Sequence, residues 1–251
     1  MAFVHLRLHT EFSIVDGTLR VDDAARAARA DRQGALAITD LANLFGAVKF
    51  YRACREQGVK PLIGADLWMQ PEALEKGPTR LLLLVQDATG YLNLCELLSR
   101  AWTGNVQRAQ AWVRREWFDD HGQGLVPLSG FEHGSVGAAL LAGDGTRARA
   151  IALQLAAQFP GRFYLEVQRA GRPDDEAHVA ATVQLAAGLK RPVVATHPVQ
   201  FLAEDDYEAH EARVCIAEGE ILGNARRVRK FTREQYFKSA AQMQALFEDL
   251  P

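Results

Sequence analysis

Seven short apolar runs punctuate the chain, at residues 3–8, 35–39, 61–69, 81–85, 125–128, 163–167 and 192–196. Their length suits strands buried on both faces. Alanine-rich segments of helical periodicity lie between most of them. Residues 21–30 open with Asp22 and Asp23, which suit the positive start of a helix. Residues 43–57 carry Phe45, Val48, Phe50, Tyr51 and Cys54 at helical spacing and stop at Gly58. Residues 91–102, 146–159 and 174–189 read the same way. Ser239 with Gln242 forms a capping-box pattern opening a last helix, on which Met243, Leu246 and Phe247 predict an apolar face that packs onto something. Strand–helix alternation predicts an α/β fold with parallel strands, and seven strands at this length favour a closed barrel over an open sheet. No Gly-x-Gly-x-x-Gly follows the first strand, which counts against a dinucleotide site. The stretch 103–123, with Trp112 and Trp117 after Trp102, is read as an excursion that packs aromatics.

The first run ends in a loop holding His9, Thr10, Ser13 and Asp16, at the strand end where barrels carry their chemistry. Alternation places His5, Arg7 and His9 on one side. A His-x-His pair there would begin a metal site, but here Arg7 interrupts it, and an arginine does not bind a cation.

Bulk properties narrow the rest. The 251 residues are 48% hydrophobic and 24% charged, which fits a soluble domain with ample core. A net charge of -2 gives no bulk argument for nucleic-acid binding. Cys54, Cys95 and Cys215 are scattered and read as free thiols in a reducing compartment. No run reaches membrane-span length and no signal-peptide pattern opens the chain, so a cytoplasmic location without membrane attachment is expected.

Several segments together, FVHLRLHTEFSIVDG (3–17), ALAITDLANLFGAVKFYRACREQGVKPLIGAD (35–66), DATGYLNLCELLSRA (87–101), GLVPLSG (124–130), FYLEVQRAGRPDDEAH (163–178) and RPVVATHPVQFLAEDDYEAHEARVCIAEGE (191–220), resemble in order and spacing the N-terminal PHP (polymerase and histidinol phosphatase) domain of bacterial DNA polymerase III alpha subunits. The resemblance implies a distorted (β/α)7 barrel over residues 1–220, with 221–251 a C-terminal tail leading toward a polymerase core. Metal-bearing members of that family hold a multinuclear centre with His and carboxylate ligands. Carried over residue by residue, the first His-x-His falls on Arg7 and His9, and the next carboxylate on Asp16. The Thr-Asp-His motif reads Thr39-Asp40-Leu41, and the Gly-x-Glu motif ends in Asp66. A histidine position falls on Arg80, a position often cysteine on Phe131, and the late Asp-x-His on Pro198 and Gln200.

Leucine, phenylalanine and proline offer no lone pair, and arginine brings a fixed positive charge into a space meant for cations. His9, Asp16 and Asp66 are what remains to ligate. The expectation is a vestigial site with no bound metal and no cofactor, in which Arg7 pairs with Asp16 or Asp66 and Arg80 helps. His197 is read as a hydrogen-bonding residue rather than a substitute ligand, and His5 as structural. Asp205, Asp206, Glu208, His210 and Glu211 are read as a solvated helix start, and the basic run 226–230 as solvated charge or a phosphate contact. The resemblance further implies a structural module that supports the rest of the polymerase alpha chain and docks the proofreading exonuclease subunit, meeting DNA through the full-length protein. The rival reading is an active metal-dependent phosphoesterase or 3′-5′ exonuclease.

Overall fold

The computed structural model describes residues 3–72, 75, 77–224 and 226–250. Its strands are β1 (Ala35–Ile38), β2 (Lys60–Met69), β3 (Thr79–Val85), β4 (Val106–Gln107), β5 (Gln110–Val113), β6 (Leu125–Leu128), β7 (Leu165–Val167) and β8 (Val193–Ala195). The helices are α1 (Val21–Ala30), α2 (Ala47–Glu56), α3 (Ala88–Gly104), α4 (Phe118–His121), α5 (Ser135–Leu141), α6 (Gly145–Gln158), α7 (Asp175–Leu189), α8 (Tyr207–Glu218) and α9 (Ala240–Leu246).

Backbone hydrogen bonds close the strands into a distorted ring. β1 pairs parallel to β2, β2 pairs with β3, and β3 pairs with β6. Tyr164 bonds back to Pro127 and Ser129 at 3.1 Å, and β7 runs parallel to β8. The chain leaving β8 reaches Val199, whose carbonyl accepts from His9 N at 2.9 Å. Leu8 then accepts from Thr39 N at 2.9 Å, returning to the end of β1. The opening segment is extended but makes only isolated bridges, at Leu8 and Thr10, rather than the regular strand expected over 3–8.

The ring is not all parallel, which corrects the expectation from strand–helix alternation. β3 runs antiparallel to both neighbours. A parallel crossover takes a dozen or more residues, usually with a helix, and the link from Met69 to Thr79 is too short to supply one.

Apolar periodicity decides which faces are buried. In α1, Val21, Ala24, Ala25 and Ala28 are buried at helical spacing and meet Phe50, Ala53 and Cys54 of α2 with Leu8. Leu6, Ala37, Leu82, Leu84 and Leu128 share a separate cluster. The largest cluster joins β2 and β3 to α3 and α6. Trp117 and Trp68 pack against it, while Trp102 stays half-exposed with Nε1 donating to Ala42 O at 2.7 Å. Cys54 and Cys215 are buried and all three thiols are free.

Residues beyond 220 return to the barrel. Phe201 bridges Tyr236, Gln200 N donates to Gln235 O at 2.9 Å, and Phe237 joins the α1–α2 cluster. The capping box at α9 forms as predicted, with Ser239 Oγ accepting from Gln242 N at 3.2 Å and Gln242 Oε1 from Ser239 N at 2.8 Å. Met243 is buried, and the ring of Phe247 lies 5.4 Å below the Arg169 guanidinium. Among the described residues, no helix is long and apolar enough to cross a membrane.

Candidate functional site

A cavity of about 740 Å³ opens at one end of the ring, lined in part by Arg7, His9, Asp66, Arg80, Phe131 and Gln200. Asp66 is brought there by β2 and Arg80 by the adjacent β3. Asp66 Oδ2 accepts from Arg80 Nη2 at 2.6 Å and from Arg7 Nη1. Arg7 also grips Glu166 of β7 with the two donors of one edge, Nε to Oε1 at 2.9 Å and Nη2 to Oε2 at 3.0 Å.

Glu166 was missed by the sequence reading. It is fully buried and also accepts from Thr196 Oγ1 at 2.5 Å, Gln168 Nε2 at 3.1 Å and Gly130 N at 3.1 Å. Its signal was visible: one acid inside the apolar run 163–167, where an unpaired charge would be costly. Gly130 reaches it because the chain turns at φ 84°, so close to β3 that a Cβ would lie 2.3 Å from Arg80 O.

Arg7 pairs with Asp66, one of the two predicted partners; Asp16 is engaged elsewhere. Asp16 takes His9 Nδ1 at 3.0 Å and Ser13 Oγ at 2.6 Å. His9 Nε2 lies 3.4 Å from Asp66 Oδ2. Burial alone would lower the His9 pKa, but the charges and hydrogen bonds of Asp16 and Asp66 override it and hold it at about 9. Burial would raise the Asp66 carboxyl, yet Arg7 and Arg80 hold it well below the usual carboxylate range. Glu166 is likewise held low by Arg7, against its burial.

The remaining predicted positions divide. Leu41, Phe131, Pro198 and Gln200 all line the cavity. Phe131 does so in left-handed backbone, φ 53°, with its ring 4.4 Å from that of His178. Asp40 does not line the cavity. It fastens the opening loop instead, accepting from Thr10 N at 2.6 Å and Thr10 Oγ1 at 2.9 Å, and burial pushes its carboxyl up to about 6.

His5 does not line the cavity that Arg7 and His9 face: its Nε2 lies 2.7 Å from Lys238 O and its ring 4.5 Å from that of Phe237. His197 also faces away, with Nε2 2.8 Å from Glu234 O. The helix start at α8 is only partly solvated. Asp205, Asp206 and Glu208 are exposed, whereas His210 is buried with Nε2 2.8 Å from Asp16 O, and Glu211 is buried against Arg227. The basic run is therefore partly consumed by α8: Arg227 by Glu211, and Lys230 by Glu218 at 2.5 Å.

These residues do not fit a metal centre. Two guanidinium groups occupy Oδ2 of Asp66, leaving only its Oδ1 without a hydrogen-bond partner, and His9 turns its Nδ1 to Asp16. Among the described residues, no three His, Cys, Asp or Glu side chains are grouped so as to hold an ion.

The profile of the PHP domain family matches residues 5–170. The chain belongs to the PHP domain family. Its PHP barrel is similar along its whole length to DNA polymerase III subunit alpha from Pseudomonas aeruginosa, at 45% identity over 100% of this chain and 21% of that protein. The same subunit from Neisseria meningitidis serogroup A is 48% identical over 99% of this chain and 22% of its own length. This PHP chain thus spans about a fifth of the curated relatives it matches. Among solved structures, an amidohydrolase from Chromobacterium violaceum with bound sulfate and no metal matches with TM-score 0.56 and 14% identity, over 84% of this chain and 96% of that one. That likeness is one of PHP fold.

Proposed function

We propose that this chain is the PHP domain of a replicative DNA polymerase alpha subunit, and that it serves as a structural and docking module without a metal cofactor. The whole polypeptide would extend DNA by nucleotidyl transfer, with the catalytic aspartates and their metal ions outside this domain. The domain would support the polymerase core and dock the proofreading exonuclease subunit.

One observation carries the reading: Arg7 and Arg80 converge on Asp66 while Arg7 clamps Glu166. Guanidinium is always charged and cannot leave to admit a second cation. It neutralises the carboxylates that metal ions would otherwise balance, and it ties the opening segment to β2 and β7 across the barrel mouth. Without a Lewis acid there is no route to a bound hydroxide for phosphoester hydrolysis.

Elemental analysis after dialysis without chelator tests the proposal. No stoichiometric zinc, manganese or iron is expected, and two or more metal equivalents per chain would sink it. Hydrolysis of phosphomonoesters, pyrophosphate and 3′ DNA ends should be absent. Activity abolished by His9→Ala or Asp16→Ala would establish the hydrolase reading instead.

A further inference from the structure

The buried sides of α1 and α2 share one apolar cluster, which leaves their outer sides to solvent. On α2, Val48, Tyr51, Arg52 and Arg55 recur at three- and four-residue spacing and so share one side. Phe45, just before the helix, lines a shallow groove with Val48 and Arg52. Phe45, Val48 and Tyr51 are 64%, 63% and 51% exposed. Three large apolar side chains bared together exceed the scattered exposure of an ordinary surface. The same surface carries unmatched positive charge. Residues 20–60 hold eight Lys and Arg against five Asp and Glu, in a chain whose net charge is -2. Most of those acids are engaged. Asp40 is buried at the opening loop, Asp31 turns to Ala240 N and Gln33, and Asp23 meets Arg26. Lys49 answers Glu11 at 3.1 Å and Asp22 at 3.8 Å. Glu56, in the groove itself, is exposed and makes no ion pair among the described residues. Against it stand Arg52 and Arg55 on α2, with Arg29 and Arg32 at the end of α1. All four are exposed, and none makes an ion pair among the described residues.

We propose that the outer face of α2, with the end of α1, binds single-stranded DNA, its bases stacked on Phe45 and Tyr51 and its phosphates met by Arg52, Arg55 and Arg29. Every base has a flat face that an aromatic ring can cover, and the backbone repeats a negative charge that a guanidinium can bind. Rings interleaved with guanidinium groups therefore suit an unpaired strand. A duplex keeps its bases stacked inside and offers the rings nothing. An acidic polypeptide would meet the arginines, whereas a nucleotide couples an anion to a flat apolar surface in every repeat, as this face couples guanidinium to ring. None of these residues lines the cavity at the barrel mouth, so the face is separate from the network of Arg7, Asp66 and Glu166. The choice of DNA over RNA rests on the polymerase reading above.

Fluorescence anisotropy of a labelled oligothymidine strand, titrated with the 251-residue chain in chelator at low salt, tests the proposal. A saturable rise is expected, with an affinity that falls steeply as salt is added. The double change Arg52→Gln, Arg55→Gln should raise the apparent Kd roughly tenfold or more and flatten the salt dependence. Phe45→Ala and Tyr51→Ala should each raise it about fivefold or more, while Phe45→Trp, which keeps a stacking ring, should not. All these changes replace exposed side chains, so unchanged melting temperatures separate lost binding from lost folding. No saturable rise, equal affinity for a duplex of the same length, or indifference to the aromatic changes overturns the single-strand face. Displacement of the strand by polyglutamate at a lower concentration of charge assigns the face to an acidic polypeptide and overturns it likewise. Tighter binding of oligouridine overturns the choice of DNA. Binding that needs manganese and is lost in His9→Ala places the strand at the barrel mouth, which overturns this face and the metal-free reading together.

Discussion

Asp66 shares a single oxygen between two arginines while its neighbour Glu166 receives a two-pronged grip from one of them. Charges this deeply buried are held by one another, and removing one strands the rest. Arg7→Ala should therefore cost about 3–5 kcal/mol, against about 0–1 for an exposed pair. A double-mutant cycle sharpens the assignment. Arg7→Ala with Glu166→Ala should lose clearly less than the sum of the single changes, whereas Arg7→Ala with Asp16→Ala should be close to additive, because Asp16 is engaged by His9 and Ser13. Chemical denaturation of the single and double variants measures both. At this scale the sequence was readable where residue type alone decides chemistry: an arginine at position 7, a leucine at 41 and a proline at 198 each speak against a metal ligand. It was silent on which acid Arg7 would choose. Glu166 lies far along the chain, and only closure of the ring brings it within 3 Å of Arg7.

Among elements, most predicted strands and helices fall where apolar runs and helical spacing put them, but the run 3–8 makes only isolated bridges and strand direction was not foreseen. Periodicity reports which face is buried and says nothing of sense, so the reversal of β3 was legible only from the shortness of the link between Met69 and Thr79. The closing helix was easier, because a capping box is a local pattern with local partners. Met243 on α9 is buried, and its replacement by alanine should cost about 2 kcal/mol or more, measured as a lowered denaturation midpoint. The seam between tail and barrel also carries a pH dependence. His5, buried against Lys238 O, has its pKa lowered by burial from 6.5 to about 4, with the carbonyl opposing, and His197 beside it is lowered further. At this group the unfolded chain therefore binds more protons between those values, so the contribution of His5 is full above about 6.5 and is lost as the pH drops toward 4. Melting temperatures measured across that window should decline less steeply in His5→Gln than in the parent chain.

At the scale of the whole molecule, one contact governs the order in which the barrel can assemble. The ring is shut by His9 N on Val199 O, two residues that lie at opposite ends of the sequence, whereas β2 and β3 meet through a short link. Loop-closure entropy is least for the local hairpin, so β2–β3 is placed to form first and the ring's last joint to form late. Val199→Ala should then act chiefly by hastening unfolding, while Leu83→Ala, in the hairpin, should slow folding; stopped-flow chevrons of the two variants separate these effects. During synthesis the same geometry imposes a wait. The opening segment leaves the ribosome long before Val199 or Glu166 exists to receive it, and a chain that must idle in water is better served by a charged, well-hydrated Arg7 than by another bare apolar side chain seeking a premature partner.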